Sequence, residues 1–392
     1  MVDPAYNVPR SSMQSKFLVA VLAAPLLAGP KTPEIAFERH VIDLGRNEAC
    51  AVADVNGDGR LDIISGENWY EAPTWKKHHH RELFLFNNYL DDFSDLPLDV
   101  DSDGDVDIIS AAWGSRRVGW YENPGKGQGM WAEHVVDEGS PTEFAFLVDM
   151  DNDGVKDEVL PQYGGREGFT AWYEREGKGA EVRWNRHVVS NKLHGHGIGA
   201  GDVNGDGRND VLTPEGWLEA PKDPRATGEW TFHAEWTFDK LGFLYVYDVD
   251  GDGLNDVITS QAHDYGVFVL RQQRDPQGGR KWVKELVDDA WSQAHAMTPV
   301  DLNGDGKMEL VTGKRLYAHN GHDPGGRETL GIYWYERVDV GGKAEWVRHI
   351  IDYGGRSGGG MQIPVVDLDG DGDLDIVVAG KGGVYLFENV SH

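Results

Sequence analysis

The chain has 392 residues, more than one ordinary domain holds, so two domains or one large β or repeat architecture is expected. Its 37 lysines and arginines stand against 66 aspartates and glutamates, a formal net charge of −29, which excludes nucleic acid and anionic membrane surfaces as natural partners because phosphate binding needs a surplus of cations. A hydrophobic content of 40% with 10% aromatics provides a core and excludes a disordered chain, and the single Cys50 excludes an internal disulfide framework.

In chain order, the first feature is M-Q-S-K at Met13 followed by the apolar run Phe17 to Ala28, the length of a signal-peptide core and too short to span a bilayer. Lys16 supplies the positive flank, and Ala28 or Gly29 a small residue near a cleavage point. Residues 1–30 therefore read as an N-terminal extension and signal peptide with Met13 as the start, and 31–392 as the mature body. This predicts a secreted or periplasmic protein with no transmembrane span once processed.

Seven segments of the form D-x-[DN]-x-D-G-x-x-[DE] follow, their first aspartates 45 to 66 residues apart, the period of a propeller blade. Oxygen-bearing side chains stand at positions one, three, five and nine: Asp54, Asn56, Asp58 and Asp62; Asp99, Asp101, Asp103 and Asp107; Asp149, Asp151, Asp153 and Asp157; Asp202, Asn204, Asp206 and Asp210; Asp248, Asp250, Asp252 and Asp256; Asp301, Asn303, Asp305 and Glu309; Asp367, Asp369, Asp371 and Asp375. Hard oxygens alternating around a glycine at position six are what calcium requires, and without a cation the carboxylates would repel one another. Position twelve lacks the glutamate of an EF-hand, and the flanks, such as L-D-I-I-S after the first loop, are strand-like. The loops are predicted to be calcium sites in β-hairpins, holding up to seven structural ions.

After each loop comes W-Y-E or a variant, as in Trp120-Tyr121-Glu122 and Val269-Leu270-Arg271, and then an aromatic with His or Glu three residues on, as in Trp131/His134 and Trp282/Glu285. One blade is thus strand one, acidic loop, strand two, the W-Y-E strand and the W-x-x-H strand. The last blade lacks its fourth strand, and Phe37/His40 in F-E-R-H-V-I-D, ahead of the first loop, supplies it. The prediction is all-β: one seven-bladed β-propeller over residues 31–392, four antiparallel strands per blade, closed by an N-terminal strand that completes the last blade and removes an open sheet edge.

Through these loops the chain resembles the FG-GAP/VCBS repeat family, whose propellers include the heads of integrin α chains; the resemblance covers residues 35 to 390 and implies the propeller and calcium. In H-G-H-G before a loop and in G-K-R-L-Y-A-H-N it also resembles the propeller of aldos-2-ulose dehydratase and other sugar-processing propellers. Blades of this kind serve adhesion proteins, lectins and lyases alike, so the fold does not choose an activity.

The histidines that recur in outer strands read as scaffold. Those that break the repeat map to the face opposite the acidic loops. Six residues before each loop's first aspartate stand Glu48, Phe93, Glu143, His196, Gly242, His295 and Met361, a ring of inner-strand starts. His196 and His295 belong to it and His263 lies on a loop between them, so three imidazoles are expected to converge at the channel mouth and hold an additional divalent metal. Lys314, Arg315, Tyr317 and His319, from a long insertion in the sixth blade, join them as the catalytic set. Trp69, Trp113, Arg116, Tyr163, Arg166, His194, Glu215, Trp217 and His322 lie in corresponding loops as substrate-binding candidates.

Cations with aromatic platforms suit an acidic or keto sugar. The functional expectation is a carbohydrate lyase or dehydratase: His196, His263 and His295 bind metal or act as base, Lys314 and Arg315 stabilise an oxyanion, and Tyr317 protonates the leaving oxygen. The alternative is a non-catalytic lectin or adhesion propeller that binds glycan or protein.

Overall fold

A computed structural model describes residues 34–391; the extension and signal peptide predicted for residues 1–30 lie outside them. The described chain is all-β, apart from 3-10 turns at Gly179–Glu181 and Ala318–Gly321, and adopts a β-propeller arrangement. Five separate four-stranded sheets are present. The first comprises Ala51–Ala53, Asp62–Ser65, Asn68–Glu71 and Lys76–His79; the second Ser94–Leu98, Asp107–Ala112, Arg117–Glu122 and Ala132–Glu138. The third comprises Thr142–Val148, Glu158–Tyr163, Thr170–Glu176 and Arg183–Ser190; the fourth Met297–Val300, Glu309–Gly313, Gly331–Val340 and Lys343–Tyr353. In the fifth, Val365–Val366, Asp375–Gly380 and Gly383–Asn389 are completed by the N-terminal strand Phe37–Asp43, which pairs antiparallel with Gly383–Asn389 from Phe37 opposite Asn389.

The sheets depart from the expected seven separate blades between residues 196 and 292, where eight strands form one sheet. Its two antiparallel halves join through parallel pairing of His196–Gly201 with Lys240–Tyr247. The reason lies in H-G-H-G-I-G-A-G. A Cβ at Gly199 would stand 1.9 Å from the Leu244 carbonyl oxygen, one at Gly197 2.7 Å from that of Gly242, and one at Gly201 2.6 Å from Val246. Only glycine lets the two inner strands approach closely enough to exchange backbone hydrogen bonds.

The second strands explain the core. Ile63-Ile64, Ile108-Ile109, Val159-Leu160, Val211-Leu212, Val257-Ile258, Leu310-Val311 and Ile376-Val377 are all fully buried. Strands covered on both faces read as continuous apolar runs rather than alternating ones, which is the L-D-I-I-S pattern of the sequence.

Candidate functional site

The acidic loops form as expected in six cases. In the first, Asp54 accepts the N–H groups of Asp58 and Gly59, and Asn56 accepts that of Asp58, so the backbone wraps around its own side chains. The closing residue Asp62, fully buried, accepts from Val55 and from Ala72 beyond the third strand, fastening the loop to its sheet. Asp107, Asp210, Asp256 and Asp375 make the same two bonds. Burial, abetted by neighbouring carboxylates, raises Asp62 and Asp256 to about 6 and Asp107, Asp210 and Glu309 to about 7. In the third loop the closing role falls to Glu158, one residue later than the spacing predicts. Glu158 accepts from Met150 at 2.8 Å and converges with Asp149 and Asp151, whereas Asp157 turns to Arg175 at 3.6 Å. Ligand atoms within 4.8 Å of one another also occur in Asp99/Asp101/Asp107, Asp248/Asp250/Asp256 and Asp367/Asp369/Asp371, so these residues could hold a metal ion.

The recurring outer-strand histidines are scaffold. His40, His78, His134, His187, His233 and His349 lie 2.7–3.0 Å from Glu388, Glu71, Glu122, Glu174, Glu219 and Glu336, all but His40 with hydrogen-bond geometry. Five of them stack on Trp69, Trp120, Trp172, Trp217 and Trp334 with ring centroids 3.8–4.3 Å apart. Trp69 and Trp217 are therefore buried sheet residues, not sugar platforms.

The ring of inner-strand starts does converge. Glu143 lies at its centre, 2.9 Å from His196 Nε2, 3.2 Å from Arg315 Nη1 and 4.0 Å from His295 Nε2. Arg315 continues to Glu48 at 2.9 Å, and Glu48 to Lys381 at 2.6 Å. The Tyr89 ring carries Lys381 at 3.7 Å and Arg315 at 5.3 Å. His263 stacks on His319 at 3.9 Å, and Asp323 Oδ2 lies 2.6 Å from His319 Nδ1 and 3.4 Å from His263 Nδ1.

Protonation follows from the partners. His196 Nδ1 faces the Leu241 carbonyl at 2.8 Å and Nε2 faces Glu143; burial drives Glu143 up, but His196, Arg315 and His295 hold it well below the usual carboxylate range. Glu143 and the Leu241 carbonyl can only accept, which favours a proton on each nitrogen of the ring, while His263 Nε2 lies 3.1 Å from the same Nε2. Burial opposes that charge, and Glu143 outweighs it, raising the pKa. The other three imidazoles are neutral: burial, with neighbouring cations, pulls His263 down to about 2, His295 well below its ordinary value, and His319 down. Each of the three directs Nδ1 to an oxygen acceptor, Asp323 for His263 and His319 and the Gln293 carbonyl for His295 at 3.3 Å, which leaves Nε2 with its lone pair.

Glu143, His263, His295 and His319 have possible ligand atoms within 4.8 Å of one another and could hold a metal ion. His295 Nε2 is buried with no hydrogen-bond partner, as a nitrogen reserved for a ligand would be. Three neutral imidazoles and a carboxylate suit a divalent transition metal. His196, expected among the ligands, lies outside that group and faces Glu143 and the Leu241 carbonyl instead.

Of the insertion residues, Arg315 and His319 enter the cluster. Lys314 spends its ammonium on the Ser292 carbonyl and hydroxyl and is lowered to about 8 by burial. Tyr317 is 40% exposed, with Arg327 over its ring. Tyr317, His319 and Asn320 all have left-handed backbone angles (φ 52°, 48° and 55°), strain concentrated beside the site.

The other candidates lie elsewhere. Tyr163 is buried against Asp137 and Tyr173; Arg116 donates to the Gly139 carbonyl; Trp113 packs on Gly164. His194 is buried between Ser190 and Phe232 with exposed Glu215 beside it, and Arg166 and His322 are exposed. Glu48 and Glu143 were legible in the same register as His196 and His295. Tyr89, Asp323 and Lys381 carry no repeat signal.

Comparison with known proteins agrees with the repeats. The FG-GAP-like repeat family model matches residues 99–160 and 248–312. No curated protein matches. Similar solved structures include an Agrocybe aegerita lectin recognising non-reducing terminal N-acetylglucosamine, 16% identical over 78% of this chain and 80% of that one with a TM-score of 0.46. The V. cholerae biofilm matrix protein Bap1 is 12% identical over 92% and 89%, TM-score 0.45. BBS1N, solved in complex with ARL6DN, is 11% identical over 92% and 97%, TM-score 0.53. Among the described residues no helix is long and apolar enough to cross a membrane.

Proposed function

Starting from a chain built on FG-GAP-like repeats, we propose an exported, calcium-stabilised propeller that performs β-elimination on an acidic or keto sugar at a divalent metal held by Glu143, His263, His295 and His319. The eight-stranded sheet is read as two blades fused along their inner strands, which makes a ring of seven. The observation that carries the activity is the set of three neutral imidazoles whose Nδ1 atoms are turned outward to acceptors, around a buried, ionised Glu143. A glycan-binding surface has no need of low-pKa imidazoles gathered around a buried carboxylate, one of them with an unpartnered Nε2; catalytic sites are where such groups are assembled.

When bound, the metal would act as a Lewis acid on a substrate carbonyl or enolate oxygen. The α-proton would pass to the Nε2 lone pair of a neutral imidazole of this group that the ion leaves free, as general base. His196 holds a proton on Nε2, between Glu143 and His263 at 3.1 Å, as a donor to a leaving oxygen. Arg315, His196 and Lys381 are balanced by Glu48, Glu143 and Asp323, so a divalent ion would leave the mouth positive toward an anionic sugar. Tyr89, beside both cations, replaces Tyr317 as the phenol nearest this chemistry.

The test is incubation of purified protein, with calcium and added divalent metals, with uronic-acid polysaccharides and keto-sugars, following the absorbance of new C=C–C=O products. Turnover lost in His295→Ala and His319→Ala supports the reading. Binding without turnover across the panel supports the second reading, a lectin or adhesion propeller. That reading draws on the exposed Phe84, Leu85 and Phe86, whose hairpin reaches the His319 segment through Asn88 and Asn320 at 3.2 Å.

A further inference from the structure

The fifth acidic loop has a different neighbour from the rest. In six places the third strand carries a glutamate within 2.7–3.0 Å of an outer-strand histidine. Beside the fifth loop both partners are exchanged: Arg271 stands in the glutamate position and Glu285 in the histidine position, 3.5 Å apart. The charge of the third-strand residue is inverted, and so is that of its partner.

The glutamate position adjoins loop position three: in the fourth loop Glu219 lies 3.5 Å from Asn204, and in the third Arg225 bridges Glu174 and Asp151. Arg271 therefore reaches into its own loop. Its guanidinium pairs with Asp250 at position three and lies 3.3 Å from Asp256 at position nine, with the side chain 14% exposed. Elsewhere cations touch the loops differently. Arg60, Arg208 and Lys307 fold back on position five of their own loops, and Arg225 arrives from a surface segment with 43% of its side chain exposed.

We propose that Arg271 is the resident cation of the fifth loop, which folds around the guanidinium and takes no calcium. Asp248, Asp250 and Asp256 converge as closely as the carboxylates of other loops, so what excludes the ion is the charge already among them. A guanidinium does not shed its proton to make room, and this one lies within ion-pair reach of two loop carboxylates at once. The proposal rests on the calcium reading of the other loops and predicts one ion fewer than there are loops.

The experiment counts calcium bound to the full chain by native mass spectrometry and elemental analysis, in wild type, Arg271→Glu/Glu285→His, and Asp252→Asn in each background. Asp252 is a loop residue for which Arg271 is not the partner. The double variant is expected to bind one ion more than wild type, and Asp252→Asn to remove one ion from the double variant and none from wild type. Loss of an ion from wild type on Asp252→Asn would overturn the proposal even if the double variant did not fold, and so would an unchanged count in a folded double variant. No calcium in any of the proteins would instead defeat the calcium reading beneath it.

Discussion

Replacing Glu143 with glutamine tests the electrostatic account of the mouth. The carboxylate accepts from His196 Nε2 and Arg315 Nη1, both cationic, inside a group where Glu143 and Arg315 are at most 5% exposed. Glutamine keeps one acceptor oxygen and turns an NH₂ group toward one of the two donors, so a charge-assisted bond is lost and a buried cation is left short of its counter-ion. Removing one partner of a buried pair costs about 3–5 kcal/mol. In a body of this size that lowers the melting temperature by roughly 4–7 °C. The pH dependence should change as well. The His196 pKa is raised in the folded state, so in wild type its stabilisation is full below the ordinary histidine value and is lost as pH rises through the folded one. In E143Q burial dominates and lowers the pKa, so the same ring should destabilise the fold as pH falls. Denaturant melts across pH, with histidine ring resonances followed by NMR, give both readouts. An E143Q protein melting within roughly 1 °C of wild type, with an unshifted His196 titration, would refute the imidazolium assignment.

Other outcomes follow from the loops and the seam. In chelator, the raised closing carboxylates Asp62, Asp107 and Asp210 bind protons more tightly folded than unfolded, so the melting temperature should rise as pH is lowered from about 8 to about 5, while calcium should reverse that slope; a flat profile in chelator removes the basis for it. Glu158→Gln should lower calcium-dependent stability and Asp157→Asn leave it nearly unchanged, since Glu158 closes the third loop; calorimetric calcium titration showing the opposite order would restore the shorter frame. Gly199→Ala places a Cβ 1.9 Å from a carbonyl oxygen. It should destabilise by about 3 kcal/mol or more, and a stable, well-folded G199A by urea melt would mean that the parallel pairing is dispensable.

The acidic loops and the closing strand were legible because each demands particular residues at fixed spacing: oxygens and a turning glycine in one case, and a missing fourth strand with its F-E-R-H counterpart in the other. The third loop escaped that spacing, since Asp157 and Glu158 are adjacent carboxylates and only the hydrogen bond from Met150 distinguishes them. The alternating glycines of 197–201 read as a departure around a site, yet their task is the close approach of two inner strands. The convergence of His263, His295 and His319 was partly legible as breaks in the repeat. The charge on His196 was not, because it is decided by Glu143 and Leu241, 53 and 45 residues away. Trp69 and Trp217 looked like platforms only because the stacked histidine beside each belongs to another strand.

The glycine seam has a mechanical consequence. Among the described residues, the halves spanning 196–292 are stitched by a run of parallel backbone pairing between inner strands, whereas other neighbouring sheets share isolated backbone bonds, such as Met361 N–H to the Glu48 carbonyl and Trp131 N–H to the His80 carbonyl, beside side-chain contacts. Strain on the ring should therefore open some other junction first, with 196–292 exchanging its amide protons and yielding to protease as one block. His196 sits at the head of that seam, tied to the Leu241 carbonyl across it. The proton it holds is thus mounted on the joint that gives way last, where breathing of the blades disturbs its position least.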